Sequence, residues 1–309
     1  MMPQLLRSFV SIPLRILRPQ RDHRTISDAD LAPPSNIQPA PPDPAMMMRR
    51  LLQAILRNAS PDMFLRVTLN DTELWLPRDT LRTIVHCVYV GENDTLVAYV
   101  ETAHLRWMAD KLRQGGTFLD VGAATGATAL PIAAHLGDKV RIIAYEPAEA
   151  ARHLLQATLA RNGIGGVTIR AAAVSDAPGE ATFREYLQDE TGATPFLPEA
   201  SSLDTQFVAA APHKMIQVPV VTLDEDALPL IAGSPVVVKI DVEGFEAFVL
   251  RGAARLLRSH RAFLSIDIHH DPFGDGQAMT EPAVRDILSG YGYRFENIGH
   301  VLLCYPPGA

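Results

Sequence analysis

Cysteine, basic charge and long apolar runs are all scarce in this chain, and each scarcity excludes something. Two cysteines, Cys87 and Cys304, stand in 309 residues, too few for a disulfide framework and too widely spaced for a zinc site. A reducing, cytoplasmic compartment is therefore expected. Lysine and arginine total 28 against 35 aspartate and glutamate, a formal charge of -7, so no basic face for nucleic-acid phosphates is implied. Nucleic acid is not an expected partner. No run approaches the roughly 20 apolar residues of a membrane span. The nearest candidate, Leu5 to Leu17, is interrupted by Arg7, Pro13 and Arg15, and it lacks the uninterrupted apolar region and cleavage site of a signal peptide. What is present is 47% hydrophobic and 20% charged residues. That composition suits one large or two modest globular domains and excludes collagenous, coiled-coil and wholly disordered chains.

The chain reads in three parts. Residues 1–45 are expected to be a disordered, Pro-rich tail: nine of the 24 prolines lie between Pro3 and Pro44, and proline excludes helix and sheet interiors. Residues 1–27 carry five arginines and one acid, Asp22, which would allow weak peripheral contact with an anionic membrane surface. Met46-Met47-Met48 offers a later start for translation. Residues 46–114 read as a helical and β lead-in, with apolar helical spacing at Met47, Leu51, Leu52, Ile55 and Leu56. A hairpin about Asn70-Asp71 comes next, and then a helix through Leu105, Met108 and Leu112.

Residues 115–309 alternate short apolar strands with amphipathic helices, which predicts βαβ units and a doubly wound, mostly parallel α/β sheet. Strands are expected at Thr117–Val121, Val140–Tyr145, Val167–Val174, Val236–Asp241 and Phe263–His269, with one helix over Glu243–Arg258. Tyr293–Tyr305 reads as a closing hairpin that sets an antiparallel strand on the sheet edge.

The first of these strands runs through Asp120 into Gly122-Ala123-Ala124-Thr125-Gly126 and then into a helix. A glycine turn there lets a ligand approach bare backbone at a helix N-terminus, so Gly122, Ala123 and Gly126 are candidate cofactor-binding residues. The dinucleotide fingerprint wants a glycine where Ala124 stands, which counts against NAD. The next strand ends at Glu146, whose carboxylate can accept bonds from both hydroxyls of a ribose. The third ends in Ser175 and Asp176, placed to read an adenine; Asp176 before Pro178-Gly179 is equally ordinary turn chemistry.

These runs, together with Ala171–Phe183, Val220-Val221-Thr222-Leu223-Asp224 and above all Val238-Lys239-Ile240-Asp241-Val242-Glu243-Gly244-Phe245-Glu246, resemble the FkbM family of S-adenosylmethionine-dependent methyltransferases. The resemblance covers roughly residues 95–305. It implies a class I methyltransferase (Rossmann-like) fold, with S-adenosylmethionine as cofactor. In that fold Asp120, Gly122 and Gly126 shape the pocket for the methionine part and Glu146 holds the ribose. Thr125, where members often carry Asn, is a mild departure. By family analogy the acceptor is a small hydroxylated molecule, a sugar, glycolipid or secondary metabolite, methylated on oxygen.

An alcohol acceptor must lose a proton, which calls for a base or a metal. Asp241, Glu243 and His269, at the ends of neighbouring strands, are the candidate catalytic residues. As a base, His269 is expected near neutral pKa with Asp241 or Glu243 orienting it. A divalent metal on Asp241, Glu243, Asp267 and a histidine is a second reading, without a diagnostic spacing to support it. In a third, Glu243 and Glu246 charge a helix N-terminus, with Lys239 and the histidines as their partners. Arg184 to Lys214 is aperiodic and is expected to close over the acceptor, with Phe196, Leu197 or Phe207 on its apolar side. A nucleotide-linked oxidoreductase and a cofactor-binding module without turnover remain the alternatives.

Overall fold

The computed structural model describes residues 44–91, 95–186, 201, 203, 212–231, 235–269 and 280–309. The Pro-rich tail and most of the Arg184–Lys214 segment lie outside the described residues, as do His270 and Asp271, which directly follow the strand expected over Phe263–His269 and belong to the same run of acids and histidines. The chain divides at Pro42, and Asp43–Ala309 form one compact unit. Among the described residues no helix is long and apolar enough to cross a membrane.

The unit opens with helix α1 (Pro44–Asn58), strands β1 (Phe64–Leu69) and β2 (Thr72–Pro77), and helix α2 (Arg78–Thr83). Asn70 and Asp71, with φ of 46° and 64°, both take the left-handed conformation that short polar side chains tolerate. Their turn sets Leu69 opposite Thr72, the expected hairpin. Two further short strands, β3 (Val88–Val90) and β4 (Leu96–Ala98), complete a sheet of order β2-β1-β4-β3. Helix α3 (Thr102–Leu112) leads out of it. This lead-in shares a core with the helices of the larger sheet: Leu56, Leu69, Leu76 and Leu81 lie in one buried cluster with Leu130 and Leu155.

From β5 (Gly116–Val121) the chain alternates as expected through α4 (Ala129–Leu136), β6 (Val140–Tyr145), α5 (Glu149–Asn162) and β7 (Val167–Arg170). Next come a short β8 (Ala173–Val174) and the long pair β9 (Gly179–Tyr186) and β10 (His213–Val221), then α6 (Leu223–Asp226), β11 (Val236–Ile240), α7 (Glu246–Arg251), α8 (Ala254–His260) and β12 (Phe263–Asp267). Helix α9 (Glu281–Ser289) precedes the closing hairpin of β13 (Arg294–Ile298) and β14 (Val301–Tyr305). Among the described residues the central sheet has seven strands in the order β13-β14-β12-β11-β5-β6-β7. The strands from β7 to β12 are parallel, and their near-continuous apolar character reflects burial on both faces. The doubly wound α/β fold is therefore present.

Three local expectations are corrected. The strand expected over Val167–Val174 is two: β7 stays in the central sheet, whereas β8 pairs with β10 in a separate sheet of order β8-β10-β9. Ala171-Ala172 is the step between sheets, with the Arg170 carbonyl accepting from Glu146 N and Ser175 N donating to the Val221 carbonyl, both at 3.0 Å. The helix expected over Glu243–Arg258 starts only at Glu246 and breaks between Arg251 and Ala254. A Cβ on Gly252 would lie 2.1 Å from the Ser175 carbonyl oxygen, so the chain turns where it meets the loop after β8. Finally, the antiparallel strand β14 is not at the edge: it is inserted between β12 and β13. The edge is taken by the more polar β13, and β14 keeps Val301 to Cys304 buried.

Gly252 has φ of -73° at the α7 C-cap, so its requirement is steric and not conformational. Gly252→Ala is expected to destabilise the fold by about 1–3 kcal/mol through overpacking against backbone, measured by urea unfolding. Wild-type stability in that variant would show that the contact relaxes freely.

Candidate active site

In the central sheet the chain winds outward from β5 through β6 to β7 and then returns to place β11 on the other side of β5. Connections therefore diverge between β5 and β11, and in open α/β sheets a crevice forms at the carboxyl ends of the strands at such a point. A cavity of about 270 Å³ lies there, lined by Gly122 and Ala123 after β5, Glu146 after β6, Asp241 and Glu243 after β11, and Asp267 at the end of β12 with His269 just beyond it. Four strand ends widely separated in sequence are thus brought together.

The floor is tight. A Cβ on Gly122 (φ +81°) would lie 1.8 Å from the Asp241 carbonyl oxygen, so glycine is required by both backbone conformation and contact. Gly126 (φ +91°) has a different use: a Cβ there would meet Leu155 and Leu130, so it seats the turn on the helices and does not line the cavity. Ala124, where a dinucleotide fingerprint wants glycine, is itself left-handed at φ 47°. Its N–H donates to Glu146 Oε2 at 2.8 Å.

Glu146 is the anchor of this wall. Oε1 accepts from Ala148 N at 2.7 Å, so each oxygen holds one backbone donor and retains capacity for a second. Burial nevertheless pushes its carboxyl up to about 7, against those two bonds. Ser175 and Asp176 lie beyond the lining, which ends at Val174; Ser175 Oγ contacts Asp176 Oδ1 at 3.4 Å. Phe183, Ser201 and Leu203 line the side toward β9, and the Tyr186 N–H donates to Ser201 Oγ at 3.1 Å. Phe196, Leu197 and Phe207 lie outside the described residues.

Beneath the turn sits a buried cation among acids. Lys239 Nζ donates to Asp241 Oδ2 at 2.9 Å and to the Gly122 carbonyl at 3.5 Å, and stands 3.9 Å from Asp120 Oδ1. Burial would lower the lysine, but Asp241, Glu101 and Asp120 together hold it above its ordinary value. Asp120 is fully buried, and the Ala129 N–H is the backbone donor that favours its charged form. Burial pushes it up to about 7, with Lys239 opposing. Glu101, at the N-cap of α3, is a residue the sequence reading missed. It meets His104 Nε2 at 2.9 Å and accepts from Thr128 Oγ1 at 3.3 Å. Burial would raise it, yet Lys239 and His104 bring it down to about 2. Its sole sequence signal is an acid directly before a helix-starting threonine.

At the opposite rim His269 is held on both sides. Its Nδ1 is 2.9 Å from Glu246 Oε1, and Nε2 faces Glu243 Oε1 at 3.6 Å and Asp241 Oδ1 at 3.9 Å. Glu246, fully buried, also accepts from Gly244 N and Thr280 Oγ1, so the residue that orients His269 is neither of the two expected. The near-neutral value expected for His269 is also corrected. Burial would lower it, but the Glu246 bond and the charges of Glu243 and Asp241 push it up to about 10. These partners favour its imidazolium form. Glu243, left-handed at φ 52° and so outside the helix, is pushed up to about 7 by burial with Asp241, Asp267 and Glu246 nearby, against the pull of His269. Asp267 rises to about 6 through burial and the charges of Asp241 and Glu101, against the pull of His269 and His300. Asp241, Asp267 and His269 each offer a ligand atom, all within 4.8 Å of one another.

A family model described as the methyltransferase FkbM domain matches residues 120–295. No curated protein sequence matches the chain. Among solved structures, the methyltransferase FkbM from Methylobacillus flagellatus is similar at 19% identity and a TM-score of 0.41, covering 62% of this chain and 44% of that one. This chain thus spans less than half the length of that protein. Aeropyrum pernix fibrillarin with natively bound S-adenosyl-L-methionine is similar at 13% identity and a TM-score of 0.36, covering 63% and 68%. The Podospora anserina methyltransferase PaMTH1 with bound SAH is similar at 10% identity and a TM-score of 0.38, covering 67% and 79%.

The His269–Glu246 contact carries its own test. A histidine raised from 6.5 in the unfolded chain to about 10 in the fold contributes stability that is complete below about pH 6.5 and is lost as pH rises toward 10. Glu246→Gln is expected to lower the His269 midpoint in an NMR titration and to cost about 1.5–3 kcal/mol at pH 6. An unchanged midpoint would remove Glu246 from the role of orienting His269.

Proposed function

This chain, a class I methyltransferase fold, belongs to the FkbM methyltransferase domain family, and on that premise we propose that it methylates a hydroxyl of a sugar, glycolipid or secondary metabolite with S-adenosylmethionine as donor. The observation that carries the choice of donor is the surplus of carboxyls over cations at the strand ends. Asp120, Glu146 and Glu243 are all held near 7 because burial is not matched by positive charge. A ligand bearing a sulfonium and an ammonium supplies what these groups lack, whereas a dinucleotide diphosphate would add to the surplus. The bound donor supplies an electrophilic methyl group.

The chain's own residues then divide the work. Glu146, with one acceptor site left on each oxygen, would hold the ribose hydroxyls. Gly122 and Ala123 give close approach to backbone, and Asp120 with Asp241 would favour the cationic end. Glu243, poised near neutrality, suits the removal of the acceptor's proton better than His269 does. His269, fixed by Glu246, would orient Glu243 and the acceptor as a hydrogen-bond donor. The wall of Ile84, Phe183, Leu203 and Phe245 would exclude water from the transfer. A divalent cation on Asp241, Asp267 and His269 is the second reading for lowering the acceptor's pKa, favoured by the proximity of their ligand atoms. Turnover unaffected by a chelator would remove it.

Proton release on binding is the direct test. Cation binding lowers the pKa of nearby carboxyls and of His269, so calorimetric titration with S-adenosylmethionine at pH 7 is expected to release protons. This reads out as a heat that changes with the ionisation enthalpy of the buffer. S-adenosylhomocysteine, which lacks the sulfonium, should release fewer, and NAD should not bind. Glu146→Ala is expected to weaken affinity by about 2–4 kcal/mol, while His269→Ala leaves it nearly unchanged. Proton uptake, or equal losses in both variants, would overturn the assignment.

The base is tested by pH. With an acceptor in hand, turnover should rise as pH climbs through about 7, where Glu243 ionises, and Glu243→Gln should lower kcat by roughly 100-fold or more and flatten that limb. A profile unchanged in Glu243→Gln would move the role elsewhere.

A further inference from the structure

Helix α1 reads PAMMMRRLLQAILRN, and at 100° per residue its apolar positions cover about half of its circumference. The interior uses only part of that arc, burying Leu52 and Leu56 in a cluster with Leu81, Ile84 and Val85. Met47, Leu51 and Ile55, one turn apart on the adjoining arc, are 55%, 55% and 52% exposed. The charged positions are all basic: α1 contains three arginines and no acid, in a chain whose net charge is -7. Arg50 and Arg57 are exposed and form no ion pair among the described residues. The sequence upstream has the same character, with five arginines and one acid over residues 1–27 among Leu5, Leu6, Phe9, Ile12, Ile16 and Leu17.

We infer that α1 is a docking helix for an anionic bilayer surface. Met47, Leu51 and Ile55 enter the acyl boundary while Arg50 and Arg57 meet the lipid charges, as for helices that lie in the interface plane. Charge decides the occupant. A second copy laid face to face would set arginine-bearing flanks together with no acid on either helix, and the upstream segment carries the same sign. An acidic lipid surface is complementary to both the stripe and its flanks.

The test uses the full chain with vesicles of phosphatidylcholine alone or mixed with phosphatidylglycerol. Co-sedimentation is expected with the mixed vesicles only, and it should weaken as salt rises. Leu51→Glu with Ile55→Glu, and separately Arg50→Glu with Arg57→Glu, should each lower partitioning at least about tenfold. An unchanged thermal midpoint and unchanged cofactor titration in both double variants would establish that the fold is intact. Undiminished partitioning in both variants would overturn the proposal, as would equal binding to neutral vesicles or no binding by the wild type. So would dimers in light scattering that Leu51→Glu with Ile55→Glu abolishes, which would assign the face to a second copy.

Discussion

The ammonium of Lys239 sits where β5 and β11 end side by side, and the cavity is organised around it. Asp241, Asp120 and Glu101 come from three separate elements, and Asp120, fully buried, would carry a heavy penalty without a cation. One lysine cannot offset them all. The arrangement therefore leaves a standing deficit of positive charge, registered in the raised carboxyls of Asp120 and Glu146. The same deficit is what the proposed cationic donor would offset.

Close backbone contact makes that charge arrangement possible. Gly122 touches the Asp241 carbonyl across the divergence between β5 and β11, and Gly252 touches the Ser175 carbonyl where the side sheet begins. The first contact brings the carboxylate-bearing loop up to the glycine turn; the second fixes the break between α7 and α8. Glu246 in turn ties three pieces of chain together: the turn after β11 through Gly244, the end of β12 through His269, and the start of α9 through Thr280. The lead-in is continuous with this framework. It contributes Glu101, Ile84 and His86 to the cavity, and its sheet shares a core with α4 and α5.

Charge is also what separates the two surfaces of functional interest. The cavity is concave and lined by acids, and its proposed ligand is a small cation, whereas α1 is basic beside an exposed apolar stripe, and its proposed partner is an extended anionic surface. An overall charge of -7 conceals this division, because it averages over regions of opposite sign.

The sequence by itself determined the strands and most of the cavity's acids. Apolar runs bounded by turn residues mark β5, β6, β11 and β12, and a carboxylate at a strand's carboxyl end is legible because parallel strands present their ends together at one edge. Asp120, Gly122, Glu146, Asp241, Glu243 and His269 were all within reach of that logic. Tertiary structure alone decided which of them touch and in what protonation state. The charge of Glu101 acts on Lys239 from the lead-in, about 140 residues away in the chain, and no local pattern encodes that distance. The value of about 10 for His269 depends on Glu246 being fully buried beside it, a product of packing and not of spacing. Ser175 and Asp176 end a strand as expected, yet the chain has changed sheets by then, so their side chains stand clear of the crevice. Local propensity sets where a strand stops; only long-range packing sets what its end faces.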